Sequence, residues 1–275
     1  MWVCSLLNLL LTQRIGKVLH RSVGATIAME LNNTRAATDV DDAFWDDTPP
    51  TDTHFTVGSN SGVNLSGRTY VAYLFAHNDG DGEFGPDGDA DIIKCGSYTG
   101  NGSTNGPEID LGFEPQLVMI KSVDDSGHWL LIDVMRGTTQ GTYSTVLRPN
   151  TSDPEPSSDN LWGIDILPNG FKPNQTQSQY NANGSNYIYM AIRRGAKVPE
   201  SATEVFAIDN QTASSAPFLT SNFPVDMVIR KRTTGGNSEV MSRLTQGKAL
   251  FANATSSEQT DSVAQFDFND GCLDD

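Results

Sequence analysis

The sequence predicts an all-β protein assembled from tandem β-sandwich repeats of jelly-roll character, and three observations carry that expectation. Only 37% of its 275 residues are hydrophobic while Gly, Asn, Ser and Thr abound, which suits short strands joined by many turns better than long helices. The apolar residues fall in short runs bounded by Gly, Asn and Pro, with no sustained 3.6-residue period. Blocks of sequence also recur in the same order at a spacing of roughly a hundred residues, the size of one sandwich domain and too long for a solenoid repeat.

Taken in chain order, Met1-Trp2-Val3 resembles the strand interior at Met119-Ile120, whereas Cys4 to Ile15 lacks the repeat pattern. The stretch from Gly16 to Gly24 aligns with Trp129 to Gly137 and with Glu239 to Gly247. Phe55 through Tyr70-Val71 recurs as Phe171 through Tyr187-Ile188, both copies carrying N-x-x-G-x-x-Y ahead of an apolar run. Tyr70 and Tyr187 are therefore expected on equivalent strands, packed in a core. Pro115 to Lys121 matches Pro224 to Arg230, each a proline opening an apolar strand that ends in a cation. Leu147 to Glu155 returns as Leu250 to Glu258 in the pattern L-x-x-N-x-[ST]-x-x-E.

Within one unit, Leu117–Ile120, Trp129–Ile132 and Tyr187–Ile192 read as buried strands, and Asp124–Gly127 and Asn181–Gly184 as tight turns. These blocks divide the chain into a partial unit over 1–77, an acidic linker over 78–92, a complete unit over 93–195 and a second partial unit over 203–275. The first partial unit matches the back of a whole one and the second matches the front. Half a sandwich exposes an apolar face and unpaired edges, so the two parts are expected to complement each other, within a chain or between chains.

The formal charge of −16 would repel phosphate backbones and anionic lipid, which excludes nucleic acid as a partner and marks a solvated surface. The apolar run from Ser5 to Leu11 is too short to span a bilayer, so no membrane insertion is expected. Cys4, Cys95 and Cys272 are odd in number and widely spaced, which offers neither a disulfide framework nor a zinc pattern and leaves them as ordinary small residues. No two of His20, His54, His77 and His128 lie within four residues of each other, which removes a helical metal pair. His20 stands where the aligned units have Asp133 and Arg243, and three such different groups cannot share one acid–base role. With no G-x-S-x-G elbow, no phosphate-cradling loop and no preferred pair of carboxylates for glycoside hydrolysis, the expectation is a protein that is not an enzyme.

The stretch from Asn78 to Asp91 holds the densest acidity. Carboxylates alternating on a Gly-rich loop suit a hard cation such as Ca²⁺, which makes Asp79, Asp81, Asp87, Asp89 and Asp91 the candidate ligands. The EF-hand pattern fails, because the sixth position from Asp79 is Phe84 and the twelfth is Ala90. A solvated acidic linker is the favoured reading beside the calcium clip.

The runs Ser97–Gly102, Asp110–Pro115, Leu167–Phe171 and Thr69–Ala76 resemble a repeat domain of tail-fibre and other appendage proteins of marine phages, notably cyanophages. The resemblance covers nearly the whole chain from about Lys17 onwards. It implies a virion protein with a structural and host-attachment role, partnered by other virion proteins, and it carries over no catalytic residues. The expected function is a structural subunit of a phage appendage, tail fibre or capsid-surface protein, working as a homo-oligomer and presenting a host-facing surface. The alternatives are a module binding a host surface glycan and, behind it, a polysaccharide-depolymerising tailspike.

Overall fold

The computed structural model describes residues 2–9 (backbone only), 16–85, 88–136, 145–154, 162–195, 201–210, 217–231, 236–243, 247–261, 266 and 271–273. The fold is all-β. Among the described residues the named helical elements are one α-turn, Ser178–Asn181, and two 3-10 turns, Val134–Arg136 and Ala202–Glu204.

The first sheet contains β1 (Trp2–Leu9), β2 (Lys17–His20), β3 (Ile27–Glu30), β4 (Thr38–Asp39) and β5 (Val71–His77), in the order β4-β3-β2-β1-β5. The central part forms two sheets. One is β6 (Ile93–Thr99), β12 (Asn186–Arg193), β8 (Pro115–Ser122) and β9 (Leu130–Asp133), in that order. The other is β10 (Ile164–Leu167), β11 (Gly170–Pro173) and β7 (Ile109–Asp110). The last part pairs β13 (Leu219–Thr220) with β18 (Gly271–Cys272), and orders β14 (Met227–Lys231), β15 (Ser238–Ser242), β16 (Lys248–Phe251) and β17 (Gln259–Thr260) in a sheet. Every strand pairing is antiparallel.

The two central sheets face each other. Val118, Ile120, Leu130, Ile132, Tyr187, Tyr189 and Ala191 point from the larger sheet onto Ile109, Ile164, Ile166 and Phe171 of the smaller one. Burying each large aliphatic side chain of this set contributes about 1.5–3 kcal/mol before the entropy of ordering it. The last part repeats this arrangement on a smaller scale, Leu219 and Cys272 of one sheet packing with Val228, Met241 and Ala249 of the other. The N-terminal part has a single sheet, and its second layer is loop: Leu19 and Ala28 pack on Phe44, Trp45 and Val63.

The outer face of the larger central sheet is covered as well. Met119 and Ile188 pack with Val18 and Met29 of the first sheet, and Met190 and Cys95 pack with Phe75. A strand buried on both faces loses its polar alternation. That is why Leu117–Ile120 and Tyr187–Ile192 read as unbroken apolar runs. Hydrogen bonds lock the layers: the Trp129 indole N–H donates to the Glu30 carbonyl at 2.9 Å and the Ala37 N–H to the Val123 carbonyl at 2.9 Å.

The tyrosine corner repeats atom for atom. The Tyr70 hydroxyl accepts the Leu65 N–H at 2.7 Å and donates to the Ser61 carbonyl at 3.1 Å. The Tyr187 hydroxyl accepts the Ala182 N–H at 2.8 Å and donates to the Ser178 carbonyl at 2.6 Å. Asn64 donates to the Gly58 carbonyl as Asn181 does to the Gln175 carbonyl, at 3.0 and 2.9 Å. Gly67 and Gly184 both take a positive φ, 74° and 83°. Buried Trp45 and Trp162 precede their tyrosines by the same interval and stand in the two cores. The bulges match too: pairing skips Cys4 between Val3↔Ala76 and Ser5↔Phe75, and skips Gln116 between Pro115↔Arg193 and Leu117↔Ile192.

Three expectations are corrected by this geometry. The bulge sets Val3 level with Pro115, so the N-terminal block is a strand opening and not the interior at Met119-Ile120, Met1 itself lying outside the described residues. In the C-terminal part, matching Pro224 to Pro115 is one residue out of step. Leu219, Asn222 and Phe223 occupy the places of Ile109, Gly112 and Phe113, Asn222 and Gly112 sharing a positive φ of 64° and 77°. Val228 therefore corresponds to core-facing Val118, and Met241, not Ser242, to Ile132. The same shift puts Val134, and not Asp133, at the place of Arg243. A one-residue slip flips every side chain to the other face, and a shared proline outweighed parity in the alignment. Third, Cys95 is held in a disulfide, whereas buried Cys272 is a free thiol. Distance along the chain placed no limit on that pairing, because the fold brings distant strands together.

Candidate functional site

The acidic stretch is a folded loop, not an open connector. Phe84 and Ala90 pair across it, the Ala90 N–H donating to the Phe84 carbonyl at 2.8 Å. Asp91 closes its neck: one carboxylate oxygen accepts the Gly80 N–H at 2.7 Å and the other the Gly82 N–H at 2.9 Å. Gly82 is required there, since a Cβ would stand 2.2 Å from the Ala90 carbonyl oxygen. Buried Asn78 ties the loop to the sheet by accepting the Ile92 N–H at 3.2 Å.

Of the candidate calcium ligands, Asp79 pairs with Lys94 at 3.2 Å, Asp81 accepts the Asp79 N–H at 3.0 Å, and Asp89 is exposed. Asp87 lies outside the described residues. Among the described residues no group of three or more His, Cys, Asp or Glu side chains is placed to hold a metal ion. Three of the acids, Asp79, Asp81 and Asp91, serve the loop and its sheet. Calcium affinity from ligand charge alone needs several such oxygens turned inward together.

Two of the histidines, His20 and His77, sit between the layers. His20 is 2% exposed, its Nδ1 accepting the Ser22 N–H at 3.2 Å. That leaves the proton on Nε2, which donates to the Tyr189 carbonyl at 3.0 Å. Burial pulls its pKa down from 6.5 to about 4, helped by the Arg21 charge. His77, 4% exposed, accepts the Cys95 N–H on Nδ1 at 3.1 Å, and burial likewise lowers its pKa. The cavity beside His20, lined by Met119, Trp129, Ile188, Tyr189 and Met190, measures about 10 Å³. It admits a single water at most.

Other displaced groups are also committed to the fold. Lys121 is fully buried, its ammonium donating to the Ser122 carbonyl at 3.1 Å, and burial lowers its pKa to about 8. The buried Tyr98 hydroxyl donates to the Tyr180 carbonyl at 2.6 Å, and desolvation raises its pKa. Arg194 bridges the central and last parts by pairing with Glu114 at 3.5 Å and Asp226 at 2.5 Å.

What the fold leaves open is apolar. Val71, Tyr73 and Leu74 on β5 are exposed, as are Val205, Phe206 and Ile208, and Met227, Ile229 and Leu250. Sequence periodicity could not find these, because exposure depends on which neighbouring strands exist. The tryptophan spacing ahead of each tyrosine was a readable signal for the core and was missed. Among the described residues no helix is long and apolar enough to cross a membrane.

A family model described as a domain of unknown function, DUF7483, matches residues 8–194, a span that ends with the central unit. No curated protein and no solved structure matches the chain.

Proposed function

The chain belongs to the DUF7483 family, and we propose that it is a structural subunit of a phage virion appendage, a tail-fibre or capsid-surface protein that spaces and presents a host-facing surface. The observation that carries this reading is the stack. The larger central sheet is buried on one face by its own unit's second sheet and on the other by the preceding tyrosine-cornered unit, so that neighbouring units share apolar surface and not just a linker. Such an array keeps its spacing under load, and the net charge of −16 keeps it soluble and apart from nucleic acid. The resemblance of the Ser97–Gly102, Asp110–Pro115, Leu167–Phe171 and Thr69–Ala76 runs to phage appendage repeats supports the same assignment.

The test is immunogold labelling of intact particles with antibody raised against the recombinant chain. Labelling along appendages or the capsid surface is the expected result. Antigen found only in the infected-cell lysate and never on purified particles would remove the assignment.

A further inference from the structure

We propose that the open edge of β5 takes residues 205–208 of a second copy of this chain as an added antiparallel strand, joining copies head to tail. The inference rests on repeat geometry and stands whether or not the chain belongs to an appendage. The central unit is the template. There β12 is an inner strand, paired with β8 on one side and with β6 on the other. β5 is the counterpart of β12: the same tyrosine corner leads into each, and the same bulge marks the pairing with β1 and β8. The other edge of β5 has no strand among the described residues. Such an edge presents unpaired N–H and C=O groups to whatever chain fits them.

The counterpart of β6 in the last part follows from the matched positions of Leu219, Asn222 and Phe223 with Ile109, Gly112 and Phe113. Counted back without a gap, Val205 takes the place of Cys95, Phe206 that of Gly96 and Ile208 that of Tyr98. This segment pairs with no described strand, and its Val205, Phe206 and Ile208 are 59%, 63% and 85% exposed. Of ten large hydrophobics exposed among the described residues, six lie on these two segments. Apolar surface is thus concentrated where the template calls for a strand pair.

The β12–β6 register, which sets Tyr189 opposite Gly96 and Met190 opposite Cys95, places Ala72 opposite Phe206 and Tyr73 opposite Val205. Side-chain sizes fit that register by exchange. In the central pair the bulk is Tyr189, and a Cβ on Gly96 would stand 2.5 Å from its hydroxyl oxygen. In the proposed pair the bulk is Phe206 and the small partner is Ala72. Phe206 therefore suits a β5 edge and clashes with a β12 edge, which selects the N-terminal sheet of another copy.

Within one copy the segment is tied at both ends to the last part of the chain. Arg194 ahead of it grips Asp226 at 2.5 Å, and Asp209 behind it accepts the Thr220 N–H at 2.9 Å. Because the two surfaces differ, each copy can give one strand and take one, which produces a ring or a filament and not a two-fold dimer.

The test is sedimentation velocity of the full chain over a concentration series, with Ala72→Tyr, Phe206→Gly and the double variant. The wild-type chain self-associates beyond a dimer. Ala72→Tyr sets two large rings against each other at an exposed site and weakens association about ten-fold or more, while circular dichroism stays unchanged. Combining Ala72→Tyr with Phe206→Gly rebuilds the Tyr189–Gly96 pairing with its bulk reversed and restores assembly. A wild-type chain that stays monomeric, an Ala72→Tyr chain that assembles as well as wild type, or a double variant no better than Ala72→Tyr each overturns the proposal.

Discussion

Acidification should loosen the chain at His20, and the size of the effect follows from its burial. The ring is 2% exposed, held neutral by the Ser22 N–H on Nδ1 and the Tyr189 carbonyl on Nε2, and its pKa falls from 6.5 to about 4. Arg21 and His77 are the charged or titratable groups that face it, and both disfavour a further proton. Between those two pKa values the unfolded chain binds a proton that the folded chain refuses. Stability is therefore intact above pH 6.5, declines as the pH falls from 6.5, and levels off below 4. A displacement from 6.5 to about 4 corresponds to about 3 kcal/mol at full effect. The assay is urea unfolding at a series of pH values for wild type and His20→Gln. The Gln amide can still donate to the Tyr189 carbonyl but does not titrate. Wild type should lose about 3 kcal/mol more than His20→Gln between neutrality and pH 4. Parallel pH profiles, agreeing within about 0.5 kcal/mol, would refute the buried-histidine account.

Three more perturbations test separate parts of the fold. Tyr70→Phe and Tyr187→Phe each strip a hydroxyl that bridges an N–H and a carbonyl; each should cost about 1–3 kcal/mol in denaturant unfolding, with the fully buried Tyr187 site the costlier. Lys121→Met should raise stability at neutral pH by about 1–2 kcal/mol, since the ammonium is buried with carbonyl partners only. It should also abolish the gain that wild type shows as pH rises through 8, where the folded chain releases the Lys121 proton before the unfolded one does. Gly170→Ala and Gly271→Ala place a Cβ 1.9 and 2.2 Å from the Ile109 and Leu219 carbonyl oxygens, so each should destabilise by about 1–3 kcal/mol. Gly195→Ala, with nothing within 4 Å, should be neutral.

Local chemistry made much of this fold legible in the sequence. The N-x-x-G-x-x-Y block marked two equivalent turns because its asparagine and tyrosine each make a short-range bond and its glycine takes a positive φ that any copy of the motif must repeat. The alignment of Gly16–His20 with Trp129–Asp133 agrees with the strand register for the same reason. What escaped was decided by parity or by distant strands. Pro224 looked like Pro115, yet a single-residue offset reverses which side chains face the core, and the matched positive φ of Gly112 and Asn222 together with the strand pairing reveals it. The buried role of His20 was not legible because its partner, the Tyr189 carbonyl, lies 169 residues away. The acids of the 78–91 loop suggested a cation, but a carboxylate can equally close its own loop by accepting backbone N–H groups, as Asp91 does. Composition cannot distinguish these uses.

Docking of the first sheet on the outer face of the central one is the claim on which the stacked architecture rests, and one proton reports on it. The Trp129 indole N–H is buried between the layers and donates to the Glu30 carbonyl at 2.9 Å. Hydrogen exchange of that proton, followed by NMR in the full chain, should be slowed to the rate set by global unfolding, together with the Tyr189 and Met190 amides of β12. Exchange of the indole proton as fast as that of a solvent-exposed tryptophan, while the β12 amides stay protected, would show that the layers are not docked and would contradict the account.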